Sequence, residues 1–438
     1  MRPKRLISLL VAVCMMITML PLSAVTAFAE DTSPSTKQEA KNGYMYAYTV
    51  NGGNATITKF LGPVDSEGHV DSTNNGPYYI EIPSELGNCP VTGLGEHSFS
   101  TEDNGSPLYD IHHHNIQSVT IPESVTSIGK DAFAQCRALQ SLTIKDAATS
   151  IGDWAFDECY KLTTLSLGKN IKTIGDYAFY DCRILNNVTI PQSVTSIGDH
   201  AFDICNCIIS LTIDDATTSI GEAAFLGCSD LITVKLGEHI TTIGDSAFQD
   251  CSDLENIIIP DSVTSIGRGA FSGCTKLYGR LILPESLIRL GKEAFDYCPQ
   301  LTGNIVIPQN IKEVPERCFA SCKGLTGTLT LHDGIHTIGE FAFQNTPLTG
   351  ELVIPRYLTS TIYLPFEVTK FSHIVIPEGT ERILWGTFYG FENVADIIEL
   401  PESVEYIDGS AFNGCRRISG LKLGKNVSTI GASAFKGC

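Results

Sequence analysis

Residues 121–139 read Ile-Pro-Glu-Ser-Val-Thr-Ser-Ile-Gly-Lys-Asp-Ala-Phe-Ala-Gln-Cys-Arg-Ala-Leu, and the fold follows from how often that string returns. Aligned on its Ala-Phe pair, Phe133, Phe156, Phe179, Phe202, Phe225, Phe248 and Phe271 recur at steps of 23 residues, and Phe295, Phe319 and Phe343 continue at steps of 24. Phe99 opens the series, Phe412 and Phe435 resume it, and Phe388 with the blurred stretch 356–377 fills the gap, giving about fourteen units. A unit this short cannot bury its own apolar face, so each must stack on its neighbours. The 438 residues are therefore expected to form one elongated solenoid. A rule of roughly 150 residues per domain, which suggests about three domains, does not apply to a repeat array.

Within a unit the residue types divide the work. Leu142 and Ile144 alternate with Ser141 and Thr143, the period of a strand with one buried face. In many units a proline follows at once, as at Pro122, Pro191, Pro260 and Pro308, and its missing amide hydrogen ends the strand. Ala132, Phe133, Cys136 and Leu139 are spaced by three and four, which predicts a single helical turn facing inward. A glycine stands four residues before the Phe, as at Gly129, Gly175 and Gly244. Pro315 and Asp408 replace it in two units, and proline cannot take positive φ. The position is read as the start of the helical turn, where neighbouring backbones approach closely.

The string I-P-x-x-V-T-S-I-G-x-x-A-F-x-x-C-x-x-L, at Ile121 to Leu139 and again at Ile190 to Ile208, resembles the BspA-type leucine-rich repeat over roughly residues 80–438. The resemblance implies a curved leucine-rich repeat solenoid, secretion or surface display, and binding of host or neighbouring-cell proteins. The expected fold class is an α/β repeat solenoid of about fourteen coils, with parallel strands on the concave side and short helical turns elsewhere. The expected divisions are a signal peptide at 1–29, a flexible linker at 30–43, an N-terminal capping hairpin and first strand at 44–83, and repeats at 84–438. Residues 100–116 are read as an inserted loop, and the last repeat, at Cys438, as incomplete.

The leader reading rests on Arg2, Lys4 and Arg5, an apolar run from Leu6 to about Leu20, and the Ala27-Phe28-Ala29 site ahead of Glu30. Its loss would remove three basic residues and no acid, leaving 27 basic against 49 acidic side chains. A surface that acidic excludes unassisted binding to nucleic acid or anionic lipid. Beyond the leader no stretch is long and apolar enough to insert in a membrane. The localisation expected is secreted or cell surface.

Fifteen cysteines in an exported chain invite a disulfide framework. Eleven of them, from Cys136 to Cys438, occupy one repeat position, which Thr346 and Phe391 fill in other units. They are read as a buried column of free thiols acting as small hydrophobes. His112-His113-His114 could offer two ligands to a metal but no third is evident, and the triplet is read as part of a solvated loop. No Ser/His/Asp, Cys/His or paired-carboxylate arrangement converges on the strand face, and no H-E-x-x-H, G-x-S-x-G or phosphate-cradling loop occurs. No catalysis, no cofactor and no metal are expected.

The outward column of the strands is Thr143, Ser166, Thr189 and Thr212, small and polar; it turns apolar at Ile258, Ile282 and Val306, and after Thr330 Val353 continues. Arg280 and Asn304 flank this stripe and Lys235 closes one end. An apolar centre with a polar rim is the layout of a protein-binding site. The function expected is binding of extracellular or surface proteins through the solenoid face, in adhesion or host and cell interaction. Two other classes fit the repeat: a targeting arm for an exported enzyme whose catalytic domain lies beyond residue 438, and a structural surface protein.

Overall fold

The computed structural model describes residues 35–100 and 112–438. The leader expected at 1–29, and residues 101–111 of the expected insertion, lie outside them. The chain is a leucine-rich repeat β-solenoid of about fourteen turns, each made of two short strands and one long turn.

The first strand of each coil is the alternating segment, as in Ser141–Ile144, Thr164–Ser166 and Ser210–Thr212. The second is a two-residue pair that a period of two is too short to reveal: Ser127–Ile128, Ser150–Ile151, Thr173–Ile174 and their successors. These pairs stack in parallel and in register, Ser150 beside Thr173 and Ile151 beside Ile174. This second ladder is the continuous one, running in a 13-stranded sheet as far as Arg289–Leu290. The first ladder is divided into shorter blocks.

Three antiparallel strands, Lys37–Lys41, Tyr44–Asn51 and Asn54–Pro63, close the N-terminal end. The first of them lies inside the stretch read as a linker. Asn54–Pro63 pairs in parallel with Cys89–Leu94, so the hairpin continues the second ladder and covers its edge. His112 and His113 are buried beneath this cap rather than solvated. His112 Nδ1 lies 2.8 Å from the Tyr78 hydroxyl, and the His113 ring meets Phe60 edge-on at 5.7 Å.

The helical turn is corrected by the structure, and with it the α/β class: the only helical element among the described residues is the short 3-10 turn His113–Asn115. The Ala-Phe segment is a run of overlapping four-residue turns instead. The amides of Ala132, Ala134 and Cys136 each close a turn onto the carbonyl three residues back. Those of Asp131, Phe133 and Gln135 reach across to the carbonyls of Asp153, Ala155 and Asp157 in the next coil. Alternate amides thus serve the coil and its neighbour, which an α-helix, spending all its amides internally, cannot do. The arrangement places the residues two before and two after the Phe at positive φ: Asp131 at 53° and Gln135 at 59°, Tyr177 at 56° and Asp181 at 56°. Glycine appears at the later position in Gly227, Gly273, Gly390, Gly414 and Gly437, a signal that the sequence carries.

The repeat glycine ahead of the Phe has ordinary φ and is there for close approach, as expected. A Cβ on Gly198 would lie 2.6 Å from the Gly175 carbonyl carbon and 2.7 Å from the Asp176 nitrogen.

Stacked rings fill the centre. From Phe99–Phe133 at 4.5 Å to Phe319–Phe343 at 5.5 Å, successive Phe rings lie nearly parallel, each worth roughly 1.5–3 kcal/mol of apolar burial. Phe366, in the blurred stretch, extends the stack at 5.5 Å from Phe343. The next Phe of the repeat column, Phe388, comes only 22 residues later, and there the stack lapses: Phe366 and Phe388 each meet Phe391 edge-on, at 6.2 and 5.6 Å.

The cysteine column is buried from Cys136 to Cys415 and exposed at Cys438, and every cysteine of the described residues is free. It has a task that hydrophobicity alone does not describe. Each thiol faces the carbonyl of the Phe in the preceding coil: Cys136 to Phe99 at 3.2 Å, Cys251 to Phe225 at 3.2 Å, Cys322 to Phe295 at 3.0 Å. Thr346 donates its hydroxyl to Phe319 in the same way, which explains why threonine stands in for cysteine. Burial raises the thiol pKa, to about 12 at Cys322.

Two outcomes are expected. Gly198→Ala should destabilise by about 1–3 kcal/mol through overpacking, whereas Ile204→Gly should be neutral or stabilising, because Ile204 sits at a φ of 59° that a β-branched residue resists. Thermal melts of the two variants shifting in the same direction would contradict this backbone assignment. The raised thiols contribute stability that is complete below their unfolded-state value near 9 and lost as pH climbs toward the folded one. One unit above that value each costs roughly 1.4 kcal/mol. The urea midpoint should therefore fall between pH 7 and pH 10, and fall less for Cys298→Thr/Cys322→Thr; equal shifts in the two proteins would show the thiols to be exposed.

Candidate functional site

All the stripe residues read from the sequence are exposed on the strand side of the coils. Ile258 is 83% exposed and Ile282 68%, the two highest values among the large apolar side chains, while Val306 and Val353 are exposed less fully. Lys235, Arg280 and Asn304 are exposed beside them. Pairing gives the neighbours at the two ends of the column, Thr212 beside Lys235, Val306 beside Thr330, and Val353 beside Val375, which extends the apolar stripe by one coil; Ile258 and Ile282 are in no strand pair.

The structure brings only part of this set together. Ile258, Arg280 and Ile282 share the walls of one crevice of about 250 Å³ with Tyr278 and Asp261, and its floor reaches the core side chains Leu277 and Phe295. Val306 and Asn304 lie a coil further on, Val353 two coils beyond those, and Lys235 a coil before. Asn304 is occupied structurally, its Oδ1 accepting the amide of Thr328 at 3.0 Å.

The crevice arises where the repeat changes length. Coils up to Phe271 have 23 residues; the next gains one, Gly279, at a φ of 95°. The extra residue shifts the strand, so Gly279–Arg280 pairs with Leu301–Thr302 and leaves the coil before it unmatched. Ile257–Ile259 and Leu281–Leu283 fall outside every ladder. The amides and carbonyls of Ile258, Ile259, Ile282 and Leu283 have no backbone partner among the described residues. Sequence reasoning found the stripe and missed the opening, although the signal was present as Leu-x-Gly-x-Leu at Leu277 and Leu325 and Leu-x-Gly-x-Ile at Leu301 in the longer coils.

Elsewhere Glu96, His97 and Asp131 bring three ligand atoms within 4.8 Å of one another. The Lys130 ammonium lies 3.7 Å from the same Asp131 carboxylate, and ion pairing accounts for the cluster. No helix among the described residues is long and apolar enough to cross a membrane.

No curated protein matches the chain. Among solved structures, a leucine-rich repeat protein from Bacteroides ovatus is 24% identical over 91% of this chain and 92% of its own, with a TM-score of 0.53. A leucine-rich cell surface protein from Faecalibacterium prausnitzii is 26% identical over 93% and 94%, with a TM-score of 0.46. A pneumococcal vaccine antigen is 18% identical over 91% and 99%, with a TM-score of 0.39. The profile of the BspA type leucine-rich repeat region matches six copies, over residues 109–216, 196–326 and 326–438. With that profile spanning most of the chain and the stacked coils in place, this protein belongs to the BspA-type leucine-rich repeat family.

Proposed function

We propose that the chain is an exported bacterial surface protein that binds other extracellular or surface proteins through its first strand face, in adhesion or cell interaction. The observation that carries the reading is the opening between Ile258 and Ile282. Two of the most exposed apolar side chains stand over a crevice that reaches the core, beside backbone groups free to pair with an incoming chain. Isolated exposed Ile and Val need no explanation in a strand, but one placed over an unpaired ladder leaves both apolar and polar surface unspent. Arg280 and Asp261 at the rim would orient a partner. The role is binding rather than catalysis, and neither nucleic acid nor a membrane core is its target. Residues 1–29 direct the chain out of the cell in this reading.

The test is a purified panel of extracellular-matrix and bacterial-surface proteins, probed with the mature chain and with Ile258→Thr/Ile282→Thr/Val306→Thr. Threonine holds the same column at Thr189 and Thr212, so melting should be unchanged. Affinity for whichever panel member binds should fall by on the order of 1–3 kcal/mol. Unchanged melting with unchanged affinity would place the binding surface elsewhere.

A further inference from the structure

On the turn side of the coils, away from the strand stripe, two columns run side by side. The residue three before each Phe is acidic through five successive coils: Asp153, Asp176, Asp199, Glu222 and Asp245. Each aspartate in the run uses one oxygen to accept the amide of the next coil's equivalent residue, Asp176 to Asp153 at 3.0 Å, Asp199 to Asp176 at 2.8 Å and Glu222 to Asp199 at 2.7 Å. The side chains of Asp153, Asp176, Asp199 and Glu222 are exposed. Asp153, Asp176, Asp199 and Glu222 have no Lys or Arg within ion-pair distance among the described residues, although fixed carboxylates this close repel one another.

The neighbouring column, at the positive-φ position, is aromatic over the first three of these coils and continues as Ala223 and Ser246. Trp154 stacks on Tyr177 at 3.8 Å and Tyr177 on His200 at 4.5 Å, all nearly parallel. Tyr180 leans against the stack, 6.2 Å from Trp154 and 5.6 Å from Tyr177. Beneath lies Asp203, its side chain only 5% exposed. Its Oδ2 holds His200 Nδ1 at 2.8 Å, while its Oδ1 is buried with no hydrogen-bond partner. The oxygen is sealed from solvent, so what it adds to the surface above is negative potential rather than a hydrogen-bonding contact.

The chain already shows which donor suits this side. Arg137 and Arg183 both lie over the Tyr160 ring, at 5.3 and 4.6 Å, while they pair with Glu158 and Asp181 respectively. Guanidinium, ring and carboxylate therefore combine within the same coils, as both cation–π attraction and bidentate pairing favour.

We propose that the face built from Asp153, Asp176, Asp199 and Glu222 beside Trp154, Tyr177 and His200 is a second binding surface, for an extended arginine-rich segment of a partner protein. Same-side residues of an extended segment recur about every 6.6 Å, close enough to the coil spacing for long, flexible arginine stems to reach successive carboxylates. The field of an acidic chain speeds the encounter, and the aromatic column selects arginine over lysine.

The test uses fluorescein-labelled nonaarginine and nonalysine peptides, followed by anisotropy at physiological salt. Wild-type protein should bind nonaarginine more tightly. Asp153→Asn/Asp176→Asn/Asp199→Asn retains the side-chain oxygen that each coil needs for its neighbour, and should weaken both peptides by on the order of tenfold. Trp154→Asn/Tyr177→Asn, asparagine being at ease with positive φ, should abolish the preference for arginine. A control that removes three charges about ten coils away, Glu378→Gln/Glu381→Gln/Glu405→Gln, should leave both affinities within twofold, being many Debye lengths distant. Equal losses from the control and from the ladder variant would reduce the effect to net charge and overturn the proposal. So would equal binding of the two peptides by wild type. Should the aromatic variant fail to fold by circular dichroism, the ladder variant against its control still decides. The strand-face triple variant should bind both peptides normally, which keeps this result separate from the stripe.

Discussion

Everything in this solenoid depends on how the Ala-Phe segment divides its amide hydrogens. Three are kept to close turns within the coil and three are handed to the next coil, at alternate positions. That division draws adjacent backbones together at the repeat glycine, brings the Phe rings into contact and forbids a helix. It also leaves the Phe carbonyl needing another donor, and the thiol of the following coil supplies one. A residue pattern spaced by three and four is thus satisfied by consecutive turns as well as by a helix. The choice between them is made by the neighbour's carbonyls, which no single unit contains.

Much of the architecture could be read from residue identity. Phe, Cys and the strand pair Leu142 and Ile144 recur in one register, and each lies in the core where that register puts it. The outward column was legible for the same reason, since a strand shows alternate side chains on one face. Three things were not. The second ladder is two residues wide, below the length at which alternation carries information. The positive-φ positions hold Asp, Trp, Tyr, His and Ile as well as Gly, so composition hides them until the inter-coil bonds are seen. The crevice depends on one coil being a residue longer than the coil before it, and so belongs to a mismatch between units rather than to either unit.

The two proposed surfaces differ in the physics that makes them. The strand side is an interruption, where pairing fails and apolar side chains stand over backbone left to water. The turn side is an accumulation, in which regular stacking places like charges and parallel rings at intervals no irregular fold would maintain. Regularity makes that repetition inexpensive, because each coil reuses contacts already required for the stack.

The thiol column carries a last consequence, for maturation. Exported proteins commonly gain stability from crosslinks that need an oxidant and often an isomerase to pair correctly. Here the sulfur atoms act as hydrogen-bond donors to neighbouring carbonyls, and all of those described are free. The native state of these coils therefore makes no demand on the redox poise of its surroundings. A chain with this core can reach its structure in an oxygen-free or reducing habitat without any crosslink having to form, whereas in an oxidising one each added coil adds a thiol that must be buried before it can pair.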